Sequence, residues 1–93
     1  MTFRIQRSTY GNVVIFILSG RIEKERLSVM QGLLQSEAEQ NEIAIDLNEV
    51  KLVDRGAVAL LEACETKGAK LTNCPPYIRE WIEKERLGGK HDE

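Results

Sequence analysis

The sequence predicts an α/β domain, a single-layer mixed four-stranded sheet with helices packed mainly on one face, in the order ββαβαβα. Short stretches of apolar alternation are interleaved with longer stretches of helical spacing. One segment, Val13 to Leu18, is continuously apolar and rich in β-branched residues, as suits a strand covered on both faces. Gly11, Gly20, Gly68 and Pro75-Pro76 punctuate these segments. At 93 residues the chain is expected to form one domain over residues 1–87, with residues 88–93 as a flexible tail.

In the first strand Phe3, Ile5 and Arg7 alternate with Arg4, Gln6 and Ser8, and Tyr10-Gly11-Asn12 turns the chain into the second. That second strand, Val13 to Leu18, is expected to be central and to end at Gly20. From Glu23 to about Gln40, Leu27, Met30, Leu33, Leu34 and Ala38 recur at helical spacing. Ile43, Ile45 and Leu47 alternate with Ala44, Asp46 and Asn48 as a third strand. A second helix is expected from Arg55 to Lys67, with Ala57, Leu60, Leu61 and Cys64 on its apolar face and Gly68 as its stop. Ala69, Leu71 and Asn73 alternate with Lys70 and Thr72 as a short fourth strand. Pro75-Pro76 opens a third helix that buries Ile78, Trp81 and Ile82, with Tyr77 alongside. The hexapeptide Ile-Glu-Lys-Glu-Arg-Leu occurs at 22–27 and again at 82–87, and its charges are expected to be solvated helix surface.

Right-handed crossovers send the first two helices to the same face of the sheet. The other face then carries Arg4, Gln6, Asp46, Lys70 and Thr72, and is polar. Strand two breaks this pattern, because either Val13, Ile15 and Ile17 or Val14, Phe16 and Leu18 must point that way. An apolar stripe there implies a partner or a homodimer contact, or cover by the hairpin or tail.

Composition excludes several classes. With 42% hydrophobic and 30% charged residues the chain is folded and globular, and its longest apolar run, Val13 to Leu18, falls far short of a membrane helix. The start Met-Thr-Phe-Arg-Ile carries no secretion signal, so a cytoplasmic setting is expected, with Cys64 and Cys74 as thiols. Cys64 belongs to a helix's apolar face; Cys74, beside a helix start, is either a packing residue or a thiol of lowered pKa. A net charge of −2 with interspersed signs gives no footprint for nucleic acid or an anionic membrane.

The functional residues are expected between Leu47 and Leu61, where a buried strand ends and feeds a helix. Asp54 is the expected N-cap, and Gly56 is expected to permit a turn shape that a Cβ resists. Asp54, Arg55, Gly56, Ala57 and Val58 are the candidate partner-binding residues. No catalytic residues, cofactor or metal site are expected. His91, the single histidine, lies in the tail, and neither metal-ligand spacing nor a phosphate-binding loop occurs. Asp46 and Asp54 are expected near one rim as turn and cap residues rather than as a catalytic pair.

Ile45-Asp46-Leu47, then Val50, Val53-Asp54 and Val58-Ala59-Leu60-Leu61, resemble the STAS family, the fold of bacterial anti-sigma-factor antagonists. The resemblance runs from about Val13 to Trp81 and includes Ser19-Gly20-Arg21-Ile22, which looks like the family's strand-ending glycine. It implies a non-catalytic interaction domain that docks an anti-sigma factor or kinase-like protein through the Asp54 corner. In the antagonists the aspartate is followed by two hydroxyl residues and a glycine, the second hydroxyl being the one a partner kinase phosphorylates. Here Arg55, Gly56 and Ala57 follow Asp54, so Gly56 stands where the acceptor would be and control by phosphorylation there is not expected. Stand-alone STAS subunits of bacterial ABC lipid transporters share the valine-aspartate corner and the Ala-Leu-Leu helix, which makes an ABC transporter ATPase the alternative partner. A third reading has the start of helix two binding an anion or nucleotide weakly through its free N–H groups and Arg55.

Overall fold

The computed structural model describes residues 3–88, in the order β1 (Phe3–Tyr10), β2 (Val13–Ile22), α1 (Lys24–Ala38), β3 (Glu42–Val53), α2 (Arg55–Thr66), β4 (Lys70–Thr72) and α3 (Pro76–Gly88). Gly88, expected in the tail, is the last residue of α3, and residues 89–93, with His91, lie outside the described residues. The strands lie side by side as β1-β2-β3-β4; β1 is antiparallel to β2, and β2, β3 and β4 are parallel.

Each parallel pair needs a helical crossover, and the right-handed form puts α1 and α2 on the same face. Helix α3 joins them there, since Ile78 and Ile82 are fully buried in the core that holds Phe16, Leu18, Ile45 and Leu47. This settles the choice on β2: Val14, Phe16 and Leu18 enter the core, and Val13, Ile15 and Ile17 occupy the open face at intermediate exposure.

Strand β3 differs most from expectation. It continues to Val53 and stays paired with β2 as far as Ile22↔Val53. Between Ile17↔Asp46 and Ser19↔Glu49, and again between Gly20↔Val50 and Arg21↔Leu52, β3 contributes one more residue than β2. These two irregularities change the spacing of its buried residues from Ile43, Ile45 and Leu47 to Leu47, Val50 and Val53. A strict two-residue period therefore loses the strand at Asn48, although each extra residue turns the next apolar side chain back to the core. Strand β2 likewise passes through Gly20 instead of ending there, because its φ of 87° is open to glycine at no steric cost.

Helix α1 is shorter and less buried than its apolar pattern implies. Met30 and Leu34 are buried and Leu27 half-buried, whereas Leu33 is 39% exposed and Ala38 is exposed. Leu33 lies off the Leu27-Met30-Leu34 line, and Ala38 borders a cleft rather than a packed surface.

Helices α2 and α3 are joined by charge as well as by packing. Glu65 accepts two hydrogen bonds from Arg79, both 2.9 Å, and one of 2.8 Å from Arg86, whose Nε lies 3.4 Å from Glu62. The charged helix faces expected to be solvated thus reach across to one another. The Arg79 hydrogen bonds, ahead of those from Arg86, hold the Glu65 carboxyl below its usual range, although partial burial opposes this. Both guanidiniums are raised in turn, chiefly by Glu65.

Two expectations follow from this packing. Met30→Ala should lower unfolding free energy by about 2–5 kcal/mol, and Leu33→Ala on the same helix by clearly less, both read by urea denaturation. Because the Glu65 pKa is depressed on folding, its contribution is complete above 4.5, the unperturbed value, and is lost as pH falls through the lower folded-state value. Glu65→Gln should therefore flatten the acid side of the stability profile below that pH. Parallel profiles for the two proteins would contradict the assignment.

Candidate functional site

The corner is fixed by backbone bonds before any side chain is considered. Ile22↔Val53 is the last pair of the β2–β3 ladder, and the Asp54 N–H then donates to the Ile22 carbonyl at 3.3 Å. Asp54 is in extended conformation (φ −104°, ψ −179°), and its carbonyl accepts the first bond of α2, from Val58 N–H at 3.0 Å. Its carboxylate Oδ1 accepts the Ala57 N–H at 2.9 Å. Asp54 is the N-cap of α2, as its position before the apolar run implied. The helix ends as expected too: Gly68, at φ 112°, follows the Lys67 cap in the conformation glycine favours.

The five candidate residues separate by burial. Arg55 is 82% exposed at its side chain and Gly56 is exposed, while Asp54 is half-buried. Ala57 and Val58, at 1% and 0% exposure, belong to the core. The first turn of α2 rotates them toward the core and leaves residues 54–56 at the surface. Arg55 Nε lies 3.8 Å from Glu85 of α3. Leu52, just before the corner, is partly exposed, and Tyr77 donates its hydroxyl to the Lys51 carbonyl at 3.2 Å, setting the start of α3 against the end of β3.

Gly56 has a different reason for being glycine than the sequence implied. It sits inside the first turn of α2 and is not among the positive-φ residues, so no special backbone shape is required. Space is what it supplies: a Cβ there would lie 2.9 Å from Leu27 Cδ1 of α1. Gly56 is thus closely approached by Leu27 of α1.

Asp46 is not at the same rim as Asp54. It lies inside β3, paired with Thr72 of β4, and its Oδ1 accepts from the Asn48 N–H at 2.9 Å and the Asn73 side-chain amide at 3.2 Å. It supports the first irregularity of β3. Cys64 and Cys74 are both partly buried, and burial raises both thiols, Cys74 included, so its expected alternative of a lowered pKa does not hold. The Cys74 thiol donates weakly to the Pro75 carbonyl at 3.6 Å.

At the other end of α2 the structure opens a cleft that no residue pattern foreshadows. It encloses about 280 Å³ between the last turns of α1 and α2, with walls that include Leu34, Ile43, Leu60 and Cys64, and Lys67 at its margin. Leu34, Leu60 and Cys64 are apolar positions of two helices and Ile43 of a strand, and only their tertiary arrangement leaves a cleft between them. Among the described residues, no group of three or more His, Cys, Asp or Glu could hold a metal ion, and no helix is long and apolar enough to cross a membrane.

A one-layer mixed sheet, helices on one face and a capped helix start at the carboxyl end of β3 make up the fold seen in anti-sigma factor antagonists. An anti-sigma factor antagonist from Mycobacterium paratuberculosis superposes with a TM-score of 0.76 at 18% identity, over 96% of this chain and 82% of that one. The anti-sigma factor antagonist SpoIIAA in its unphosphorylated form gives 0.67 at 14% identity, over 89% and 83%. An uncharacterised protein with a SpoIIAA-like fold from Shewanella loihica gives 0.54 at 13% identity, over 86% and 93%. No family model matches the sequence, and no curated protein matches it.

Asp54→Ala should remove the cap and cost about 0.5–2 kcal/mol. Gly56→Ala should be nearly neutral: about 0.5–1 kcal/mol of helix propensity is gained, offset by the shift forced on the flexible end of Leu27. Thermal and urea unfolding of the two variants against the parent measure both. A loss at Gly56→Ala as large as that at Asp54→Ala would mean that Leu27 cannot move aside.

Proposed function

We propose that this chain is a non-catalytic protein-interaction domain acting in the manner of an anti-sigma-factor antagonist, which docks its partner through the Asp54-Arg55-Gly56 corner. The observation that carries the reading is the division of labour there. Asp54 is engaged in holding β2, β3 and α2 together, and the side chain of Arg55, 82% exposed and with its Nε 3.8 Å from Glu85, is presented to solvent on that rigid base. A charged, exposed residue on a capped helix start is a geometry for steering and orienting a partner, not for reaction. The likeness in fold to anti-sigma factor antagonists supports an anti-sigma factor or kinase-like protein as the favoured partner, in a cytoplasmic setting.

The same corner would serve an ABC transporter ATPase, and the identity of the protein retained by the parent chain decides between the two. An anion or nucleotide is less favoured, because the Asp54 carboxylate already takes the Ala57 N–H and adds negative charge where an anion would sit. Regulation by phosphorylation at the family position is excluded from the proposal: residues 55–58 are Arg, Gly, Ala and Val, without a hydroxyl among them.

Arg55→Glu reverses a surface charge without touching the cap. It should leave the melting temperature nearly unchanged while weakening association with the captured partner, mainly through a slower on-rate. Calorimetry and binding kinetics on purified proteins read the two effects separately. Undiminished binding by Arg55→Glu, with loss on substitution elsewhere, would move the docking surface away from this corner.

A further inference from the structure

All three helices cover one face of the sheet, and the face they leave carries a stripe from Val13 through Ile15 to Ile17 on β2, with Ala44 beside it on β3 and the 79%-exposed Tyr10 at its end. The charges around this stripe are unevenly distributed. Its β1 side carries Arg4, its β3 side carries Glu42, Asp46 and Glu49, and Lys70 lies beyond Ala44 on the edge strand β4.

The strand registers say what would fit against it. Tyr10 and Glu42 are both level with Val13, Ser8 and Ala44 with Ile15, Gln6 and Asp46 with Ile17, and Arg4 and Glu49 with Ser19. A second copy turned about an axis running along β2 keeps each level and exchanges the two sides, so that β1 of one copy lies over β3 of the other. Arg4 then faces Glu49, Gln6 faces Asp46, Tyr10 faces Glu42 and Ser8 faces Ala44, with the apolar stripe against itself. A second copy turned about an axis across the strands instead stacks β3 on β3 and sets its three carboxylates against their own kind. We propose that the open sheet face is the interface of a two-fold symmetric homodimer whose axis runs along β2, with Arg4 of each copy paired to Glu49 of the other.

The interface is isologous, so each pair occurs twice. Three strands about 4.8 Å apart and about 33 Å long offer a face of roughly 450–500 Å² per copy, below the roughly 800 Å² of a standard stable interface. The dimer is therefore reversible and concentration-dependent. It leaves the Asp54 corner uncovered, so its test is independent of the docking proposal.

Sedimentation equilibrium of the full chain, from low micromolar to near-millimolar concentration, should show a monomer–dimer equilibrium in the parent. Ile15→Lys should abolish it. Arg4→Glu and Glu49→Arg should each weaken it by about tenfold or more, since each replaces two attractive pairs by two repulsive ones. Mixing these two variants in equal amounts should restore the dimer, because the glutamate introduced at position 4 of one then faces the arginine introduced at position 49 of the other on one side of the axis, and the native Arg4 and Glu49 pair on the other side. Circular dichroism confirms that each variant is folded. A parent that stays monomeric throughout overturns the proposal, and that is also the result if residues 89–93 of the same chain cover the face. A dimer that survives Ile15→Lys, or a mixture that stays as weak as its components, overturns it as well.

Discussion

The parallel pairing of β2 with β3 is the constraint on which the other parts of the structure depend. β1 is held by the outer edge of β2 and β4 by the outer edge of β3. A parallel neighbour requires a crossover, so the pairing also demands α1 and fixes the face it covers. The ladder runs to Ile22↔Val53, and its last act is to accept the Asp54 N–H at the Ile22 carbonyl. The place where α2 begins is thus set by how far β2 and β3 stay together, and that extent depends on the two extra residues β3 accommodates.

The consequence for the corner is that its aspartate is structural first. Asp54 joins two strands and a helix through its N–H, its carbonyl and its carboxylate, and Leu27 of α1 fills the space that Gly56 leaves. All of this restrains the backbone on which Arg55 is presented. A backbone so constrained would lose little further freedom if Arg55 docked as proposed, which is the general advantage of a preorganised surface. Helix α3 adds to the restraint from the side, through Tyr77 on the Lys51 carbonyl and the Arg79–Glu65 fork.

Much of this was legible in the residues. The order of elements, the cap at Asp54 and the Gly68 stop are local chemistry: periodicity, a short acceptor side chain before an apolar run, a glycine after it. The late part of β3 was not legible, because its irregularities replace a two-residue period with a three-residue one that sequence alone attributes to a turn. The burial of Ala57 and Val58 was not legible either, since position in a motif does not say which way the first turn of a helix is rotated. The cleft beyond Cys64 has walls from α1, β3 and α2, and no single segment encodes that.

The repeated hexapeptide separates the two kinds of information. By itself, Ile-Glu-Lys-Glu-Arg-Leu specifies an apolar anchor, a charged and helix-compatible centre and a leucine, and both copies honour that: Ile22 and Ile82 are each fully buried. Conformation and role differ all the same. At 22–27 the isoleucine is the last residue of β2, paired with Val53, helix starts only at Lys24, and Leu27 packs over Gly56. At 82–87 the whole segment is helix, Arg86 reaches Glu65, and Leu87 is 70% exposed. The sequence determined which side chains seek the core and where helices may begin, because those follow from each residue's own solvation and backbone preferences. Only the tertiary structure decided which Ile became a strand end and which Leu a buried contact, because a ladder partner such as Val53 and a gap such as that at Gly56 come from distant parts of the chain.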